Sequence, residues 1–193
     1  NFAELITTKI LNEGFYSYID KTLMIEDILR DSAKILLFPR PRRFGKTLNM
    51  SMLQHFFAFD VNGQKTAALF DGLNISQKPE VMAYQGQHPV IFVTLKKLKQ
   101  PNFEAMLSAL RPVVAALYAE HEYLLESQQL SQYAKKRMAV YYTDAENFTI
   151  SQLQNAIPLL MEMMFKHYNK KVIVLMDEYD APIQEAYIKK FYK

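Results

Sequence analysis

Apolar residues recur along this chain in two patterns, one typical of helices and one typical of buried strands. Helical spacing predicts an amphipathic helix that begins at Thr47, a second over residues 103–118 and a third over Ile150–Tyr168. A shorter helix is predicted over residues 23–29, after a polar segment suited to an N-cap. Pro112 should kink or split the second helix, because proline lacks the N–H that a helix interior needs.

Short apolar runs predict three buried strands, at residues 34–38 (KILLF), 89–95 (PVIFVTL) and 171–176 (KVIVLM). Residues 61–72 are polar and predict a loop with a short turn, and residues 15–19 predict an extended segment. Helices alternate with these strands, which favours an α/β fold with a parallel sheet flanked by helices.

The length of 193 residues predicts one domain over residues 1–193, with an N-terminal segment over 1–33. Residues 120–149 are polar and rich in Gln, Lys and Tyr, and they predict a helical excursion outside the core. Thirteen residues follow Asp180 (193 − 180), and they predict the start of a helix and no further strand.

Composition, net charge and cysteine content exclude several classes of protein and of metal site. Half of the residues are apolar and 22% are charged, which is typical of a globular domain. A net charge of +3 gives no strong case for nucleic acid. The absence of cysteine excludes disulfides and thiolate zinc sites and suits a reducing, cytoplasmic setting. No apolar run approaches the roughly 20 residues that a membrane span needs, so no membrane contact is expected.

Residues 40–47 (RPRRFGKT) resemble the phosphate-binding pattern G-x-x-x-x-G-K-[ST] between a predicted strand and a predicted helix. Arg40 stands at the first glycine, but Gly45, Lys46 and Thr47 match. Gly45 would let the backbone approach phosphates, Lys46 would contact the β- and γ-phosphates, and Thr47 would give its hydroxyl to Mg²⁺. The candidate nucleotide-binding residues are Arg42, Arg43, Phe44, Gly45, Lys46, Thr47 and Leu48. The alternative is an ordinary helix start.

The third predicted strand ends on two carboxylates, Asp177 and Glu178. In phosphate-loop enzymes such a strand lies in the same sheet as the loop strand, and its terminal Asp holds Mg²⁺. A following Glu can polarise the attacking water as general base. Asp177 is therefore a candidate metal ligand, and Glu178 joins Lys46 as a candidate catalytic residue. The alternative is a buried strand that simply ends at a polar loop.

Three segments, FYSYIDKT (15–22), FPRPRRFGKTL (38–48) and VIVLMDEYDAPI (172–183), together resemble the AAA-ATPase-like family of bacterial proteins. That family shows RPRRFGK[ST] in place of the standard loop, so Arg40 is typical of it. The resemblance implies ATP binding at Lys46 and Thr47, with Asp177 and Glu178 at the Mg²⁺ and water positions. Many members carry a C-terminal PD-(D/E)xK nuclease-like domain, but no such signature occurs here, and we assign no nuclease activity.

The favoured function is a Mg²⁺-dependent ATPase coupled to an unknown process. The alternatives are a nucleotide-gated binding module with little hydrolysis and a nucleic-acid-binding protein whose residues Arg40, Arg42 and Arg43 contact DNA phosphates. One of these arginines could instead act as an arginine finger or pair with surface carboxylates. Tyr16 and Tyr18 could stack on adenine, although ordinary core packing is the favoured interpretation.

The sheet is expected to be incomplete at its C-terminal end. In the phosphate-loop branch that carries a catalytic Glu, the strand after the acidic strand inserts beside the loop strand and carries a polar sensor residue. No such strand follows Asp180 here. A second copy of the chain, as in a homo-oligomer, or a missing C-terminal segment would fill the gap. An open gap would expose two strand edges, which favours self-association or aggregation. Because the core is incomplete, we expect weak turnover from the residues given.

Overall fold

A computed structural model describes residues 1–10, 18–39 and 44–191 of the chain. The chain divides into two compact units, residues 1–90 and residues 91–193. Each unit has its own buried residues, and each is described by itself below. The chain is rich in helices and contains a small parallel sheet, so it is α/β overall, as its alternating pattern predicts.

The first unit is built from helices joined by short turns. Its α-helices are α1 (Phe2–Ile10), α2 (Met24–Arg30), α3 (Lys46–Phe57) and α4 (Pro79–Met82), and it also has 3₁₀-helices at Ala67–Phe70 and Asn74–Gln77. The predicted helices at residues 23–29 and from Thr47 are confirmed. The predicted loop at 61–72 is also confirmed, with a 3₁₀ turn inside it.

An aromatic cluster forms the centre of the first unit. The Phe70 ring lies 5.2 Å from the ring of Phe2 and 5.2 Å from the ring of Phe56, and all three side chains are fully buried. The backbone N–H of Phe2 also donates to the hydroxyl of Ser51 at 3.2 Å. Because Ser51 and Phe56 both lie on α3, these contacts hold α1 firmly against the helix that follows the candidate phosphate loop.

The second unit contains the two-stranded sheet and three long helices. Its elements are β1 (Val90–Thr94), α5 (Phe103–Ala119), α6 (Gln132–Thr143), α7 (Ile150–Tyr168), β2 (Ile173–Asp177) and α8 (Ala181–Ile188), with 3₁₀-helices at Glu122–Glu126 and Ala145–Asn147. The strands β1 and β2 are parallel neighbours, and α5 to α7 form the connection between them.

Local sequence explains where the long helices of the second unit begin. The side chains of Asn102, Ser131 and Thr149 each accept a backbone N–H from the first turn of α5, α6 and α7, respectively. At α7 the Gln152 side chain also accepts the N–H of Thr149 at 2.7 Å, which completes a capping box. The predicted start of the third amphipathic helix is therefore confirmed, and so is the helix after Asp180.

The prediction that residues 120–149 lie outside the core is wrong. The segment is helical, but its apolar residues belong to the main buried cluster of the second unit, together with α5 and α7. Tyr141 of α6 stacks on Tyr118 of α5 with ring centroids 4.1 Å apart. The residues of the segment that are buried in this cluster are Leu124, Leu130, Ala134, Met138, Tyr141 and Phe148. A polar composition hid them, because only one residue in three or four of a surface helix needs to be apolar.

The predicted buried strand at residues 34–38 is also wrong. The described segment forms no strand, and Ile35 is 86% exposed and Leu37 is 61% exposed. A strand forms only where a neighbour offers its backbone hydrogen bonds, and the two-stranded sheet described here consists of β1 and β2. An apolar run is therefore compatible with a buried strand, but the strand forms only if a neighbouring strand pairs with it.

Pro112 does not split α5, which runs unbroken from Phe103 to Ala119. Proline removes one backbone hydrogen bond, but Val114, Leu117 and Tyr118 pack the following turn into the core. Burial of that face outweighs the lost bond. In the described part of the chain, no helix is both long and apolar enough to cross a membrane.

Candidate functional site

The start of α3 has a geometry suited to an anion. Gly45 is the N-cap residue, with a left-handed φ of 76°, and α3 begins at the next residue, Lys46. Gly45 has no side chain with which to cap the helix. Its carbonyl accepts the N–H of Asn49 at 2.9 Å, which closes the first turn. The first N–H groups of a helix have no partner within the helix itself, and the N-cap residue here offers no side-chain acceptor for them.

The charges of the first turn of α3 also suit an anion. The turn contains no acidic residue, although a carboxylate there would be favoured by the helix dipole. It carries Lys46 instead, whose ammonium adds a positive charge to the positive end of the dipole. An anion such as a phosphate group would relieve this repulsion and accept hydrogen bonds from the helix end. This end of α3 is thus a candidate phosphate-binding site.

The structure places the other predicted loop residues as follows. Lys46 and Leu48 are half-buried, Thr47 is exposed, and the ring of Phe44 is 56% exposed. The predicted contacts by Arg40, Arg42 and Arg43 lie outside the described residues.

In the second unit, the acidic pair lies at the carboxyl end of β2. Asp177 is the last residue of the strand and is only 4% exposed. The backbone N–H of Leu95, which follows β1, donates to the carbonyl of Asp177 at 3.0 Å. The two parallel strands therefore stay paired to their ends. In α/β sheets ligands bind beside the carboxyl ends of strands, so the carboxylate of Asp177 lies at the edge where such sites occur.

Glu178 has an uncommon backbone conformation. Its φ is 54°, in the left-handed region that residues with a side chain rarely adopt. Its N–H donates to the carboxylate Oδ1 of Asp177 at 3.1 Å, and its carbonyl accepts the N–H of Ala181 at 3.0 Å. This tight turn leads directly into α8. Left-handed non-glycine residues cost free energy and cluster at functional sites, which makes Glu178 a candidate reactive residue.

Comparison with known proteins shows the family to which the chain belongs. The profile of a family described as "Predicted AAA-ATPase", AAA-ATPase-like, matches residues 6–193. The chain belongs to this AAA-ATPase-like family. Searches of curated proteins and of solved structures gave no match. Membership supports nucleotide binding at a general level.

The donor set of this family member is compatible with Mg²⁺. No cluster of three or more His, Cys, Asp or Glu side chains suited to a metal occurs within residues 1–10, 18–39 and 44–191. Mg²⁺ does not need such a cluster, because it keeps several waters and binds through one or two carboxylates together with phosphate oxygens. The sequence predicts one such oxygen ligand in each unit, the hydroxyl of Thr47 in the first and the carboxylate of the buried Asp177 in the second.

Tyr18 packs against the core, which is the interpretation that the sequence favours. Its ring lies 5.9 Å from that of Phe2 in an edge-on arrangement, and its hydroxyl donates to the sulfur of Met52 at 3.7 Å. Burial raises the pKa of Tyr18. Tyr16 lies outside the described residues.

The sequence analysis did not place the end of β1 beside the acidic pair. The end of β1 lies directly beside Asp177 through the Leu95 hydrogen bond, and Thr94 there is exposed. The carboxyl ends of neighbouring parallel strands share one edge of a sheet, so the order of the strands would have indicated this proximity. The sequence alone does not show that these two strands are neighbours.

Proposed function

We propose that this chain binds Mg·ATP and hydrolyses it to ADP and phosphate, in support of a process still to be identified. The observation that carries the proposal is the start of α3, where a left-handed Gly45 without a capping side chain leads into the helix and Lys46 adds a positive charge. Family membership supports nucleotide binding at this general level. The absence of cysteine favours a cytoplasmic setting.

The residues around Gly45 have distinct roles in this proposal. Backbone N–H groups at the helix end bind phosphate oxygens, and the helix dipole strengthens these bonds. The ammonium of Lys46 neutralises the β- and γ-phosphates, and the hydroxyl of Thr47 coordinates Mg²⁺. Arg42 and Arg43 precede this turn and would add further positive charge.

The carboxylates that follow β2 supply the other half of the chemistry. Asp177 holds Mg²⁺ directly or through a water, and Glu178 accepts a proton from the water that attacks the γ-phosphorus. The tight turn at Glu178 supports this role, because its hydrogen bonds to Asp177 and Ala181 fix the backbone of the base. A base held in place needs less reorganisation during reaction.

Binding is tested by thermal unfolding of the full chain with and without Mg·ATP. A ligand at a hundredfold excess over its dissociation constant adds about 2.7 kcal/mol of stability. We expect Lys46→Ala to remove most of this gain and Lys34→Ala, which removes an exposed lysine of the same unit, to retain it. An equal gain in the wild type and in Lys46→Ala would contradict binding at α3.

Hydrolysis is tested separately by phosphate release. We expect Glu178→Gln to keep the ATP-dependent stabilisation and to lose turnover by roughly 10²–10⁴-fold, as removal of a general base does. Asp177→Asn should weaken the dependence on Mg²⁺. A wild-type chain that binds ATP without releasing phosphate would favour the nucleotide-gated binding module instead.

A further inference from the structure

A basic segment follows β1 at the same edge of the sheet as the acidic pair. We define the lysine loop as residues 95–103 (LKKLKQPNF), which carry Lys96, Lys97 and Lys99. The loop begins at Leu95, whose N–H donates to the carbonyl of Asp177. It ends at Phe103, the first residue of α5. Neither the phosphate-binding role of α3 nor the chemistry of the acidic pair uses these lysines.

The lysine loop is anchored to its own unit. Leu98, at its centre, is buried and only 2% exposed, and its N–H donates to the carbonyl of Leu95 at 2.9 Å. The side-chain amide of Gln100 donates to the carbonyl of Lys97 at 3.2 Å and folds the second half of the loop. The lysines on both sides of Leu98 are therefore presented from a fixed backbone, which lowers the entropy cost of binding a partner.

The lysines of the loop form no ion pairs with the described residues. Lys96, Lys97 and Lys99 are exposed, and none of them forms an ion pair within the part of the chain that the structure describes. Along the sequence, no Asp or Glu occurs between Glu80 and Glu104. Three like charges within four residues repel one another, so an external polyanion would bind here favourably.

An exposed aromatic ring follows these lysines along the sequence. Phe103, the first residue of α5, is 47% exposed. Proteins that bind single-stranded nucleic acid combine lysine contacts to the phosphates with aromatic rings on which bases stack. An acidic protein segment or an anionic membrane would use the lysines but would gain less from one flat ring.

From this combination we propose that the lysine loop binds single-stranded nucleic acid, with Lys96, Lys97 and Lys99 on the phosphates and Phe103 stacked on a base. The contact is independent of base sequence, because phosphates and ring faces are common to all nucleotides. The site is distinct from the start of α3, and its occupancy does not require ATP.

The test measures fluorescence anisotropy of a labelled single-stranded DNA of mixed sequence with the full chain, without nucleotide, at several salt concentrations. We expect the slope of log K against log salt to fall in magnitude by about 2 in the triple variant Lys96→Gln/Lys97→Gln/Lys99→Gln, since each phosphate contact contributes roughly 0.7. Phe103→Ala should weaken binding by roughly tenfold and leave that slope unchanged. Thermal unfolding confirms that the variants fold.

A matched control removes three exposed lysines elsewhere in the same unit, Lys136→Gln/Lys170→Gln/Lys189→Gln. The proposal expects this control to keep most of the affinity, and Lys46→Ala to bind the DNA as the wild type does. Failure of Lys46→Ala to bind ATP therefore leaves the nucleic-acid result intact. Equal losses in both triple variants would overturn the proposal, and so would tighter binding to phosphatidylserine vesicles or to polyglutamate that Phe103→Ala does not affect.

Discussion

The hydroxyl of Tyr118 donates to the backbone carbonyl of Ala156 at 2.8 Å, across the interface of α5 and α7. The Tyr118 ring is fully buried and stacks on Tyr141, so one side chain joins three helices of the second unit. Burial raises the pKa of this hydroxyl far above its ordinary value. It therefore stays protonated at every physiological pH, and its hydrogen bond to Ala156 does not depend on pH in that range.

Removal of the Tyr118 hydroxyl alone should destabilise the second unit. We expect Tyr118→Phe to lower the free energy of unfolding by about 1 kcal/mol, since a buried hydrogen bond is lost while the ring remains. Tyr133→Phe, in which the wild-type ring is 73% exposed, should have almost no effect. Urea unfolding of both variants gives the comparison, and a smaller effect at Tyr118 than at Tyr133 would contradict the structure.

The left-handed turn at Gly45 should tolerate asparagine better than alanine. A Cβ at this position would meet no atom of the described residues within 4 Å, so we expect the cost of substitution to be backbone strain. We expect Gly45→Ala to cost roughly 1–2 kcal/mol and Gly45→Asn clearly less, because asparagine adopts left-handed conformations more readily. Thermal unfolding of the two variants distinguishes them. Equal losses would show that the left-handed φ is not what restricts this position.

The left-handed backbone conformation of Glu178 should lower the free energy of unfolding. We expect Glu178→Gly to raise the free energy of unfolding by roughly 0.5–1 kcal/mol, because glycine relieves the left-handed strain and part of this gain is lost to the greater freedom of the unfolded chain. The same replacement at Glu185, inside α8, should instead destabilise by about 1 kcal/mol. Calorimetry on the two variants measures the contrast, and a destabilised Glu178→Gly would argue against strain at this turn.

Acid should destabilise the fold partly through His121. Burial lowers the pKa of His121 from 6.5 to about 4, and its Nδ1 has no hydrogen-bond partner in the described structure. The unfolded chain therefore binds a proton between these pH values that the folded chain does not, so the stability present above pH 6.5 is lost as the pH falls toward 4. The largest loss is about 3 kcal/mol, at 1.36 kcal/mol per pKa unit.

The measurement is urea unfolding from pH 7 to pH 4.5 for the wild type and for His121→Gln. Burial also lowers the pKa of His55 and of His167, so the wild type has several contributions of the same sign. The difference between the two proteins isolates His121. We expect the variant to lose less stability with acid, and parallel curves would assign the acid sensitivity to other groups.

Sequence alone predicted most of the helices and the candidate site residues. The start of α7 follows from the Thr149 and Gln152 capping box, and the turn before α3 follows from Gly45, because caps and left-handed glycines act within a few residues. The residue types at Lys46 and Asp177 likewise predict phosphate and metal chemistry from local pattern alone. The inserted strand and the role of the arginine cluster stay predictions.

Only the tertiary structure decided which apolar segments are buried. The run at residues 34–38 has the composition of a buried strand but is exposed, whereas the polar segment at 120–149 supplies Met138 and Phe148 to the core. Likewise, nothing local in the sequence places Leu95 beside Asp177. Strand pairing and core packing join residues far apart in sequence, so their free energy is absent from any local pattern and appears only when the chain has folded.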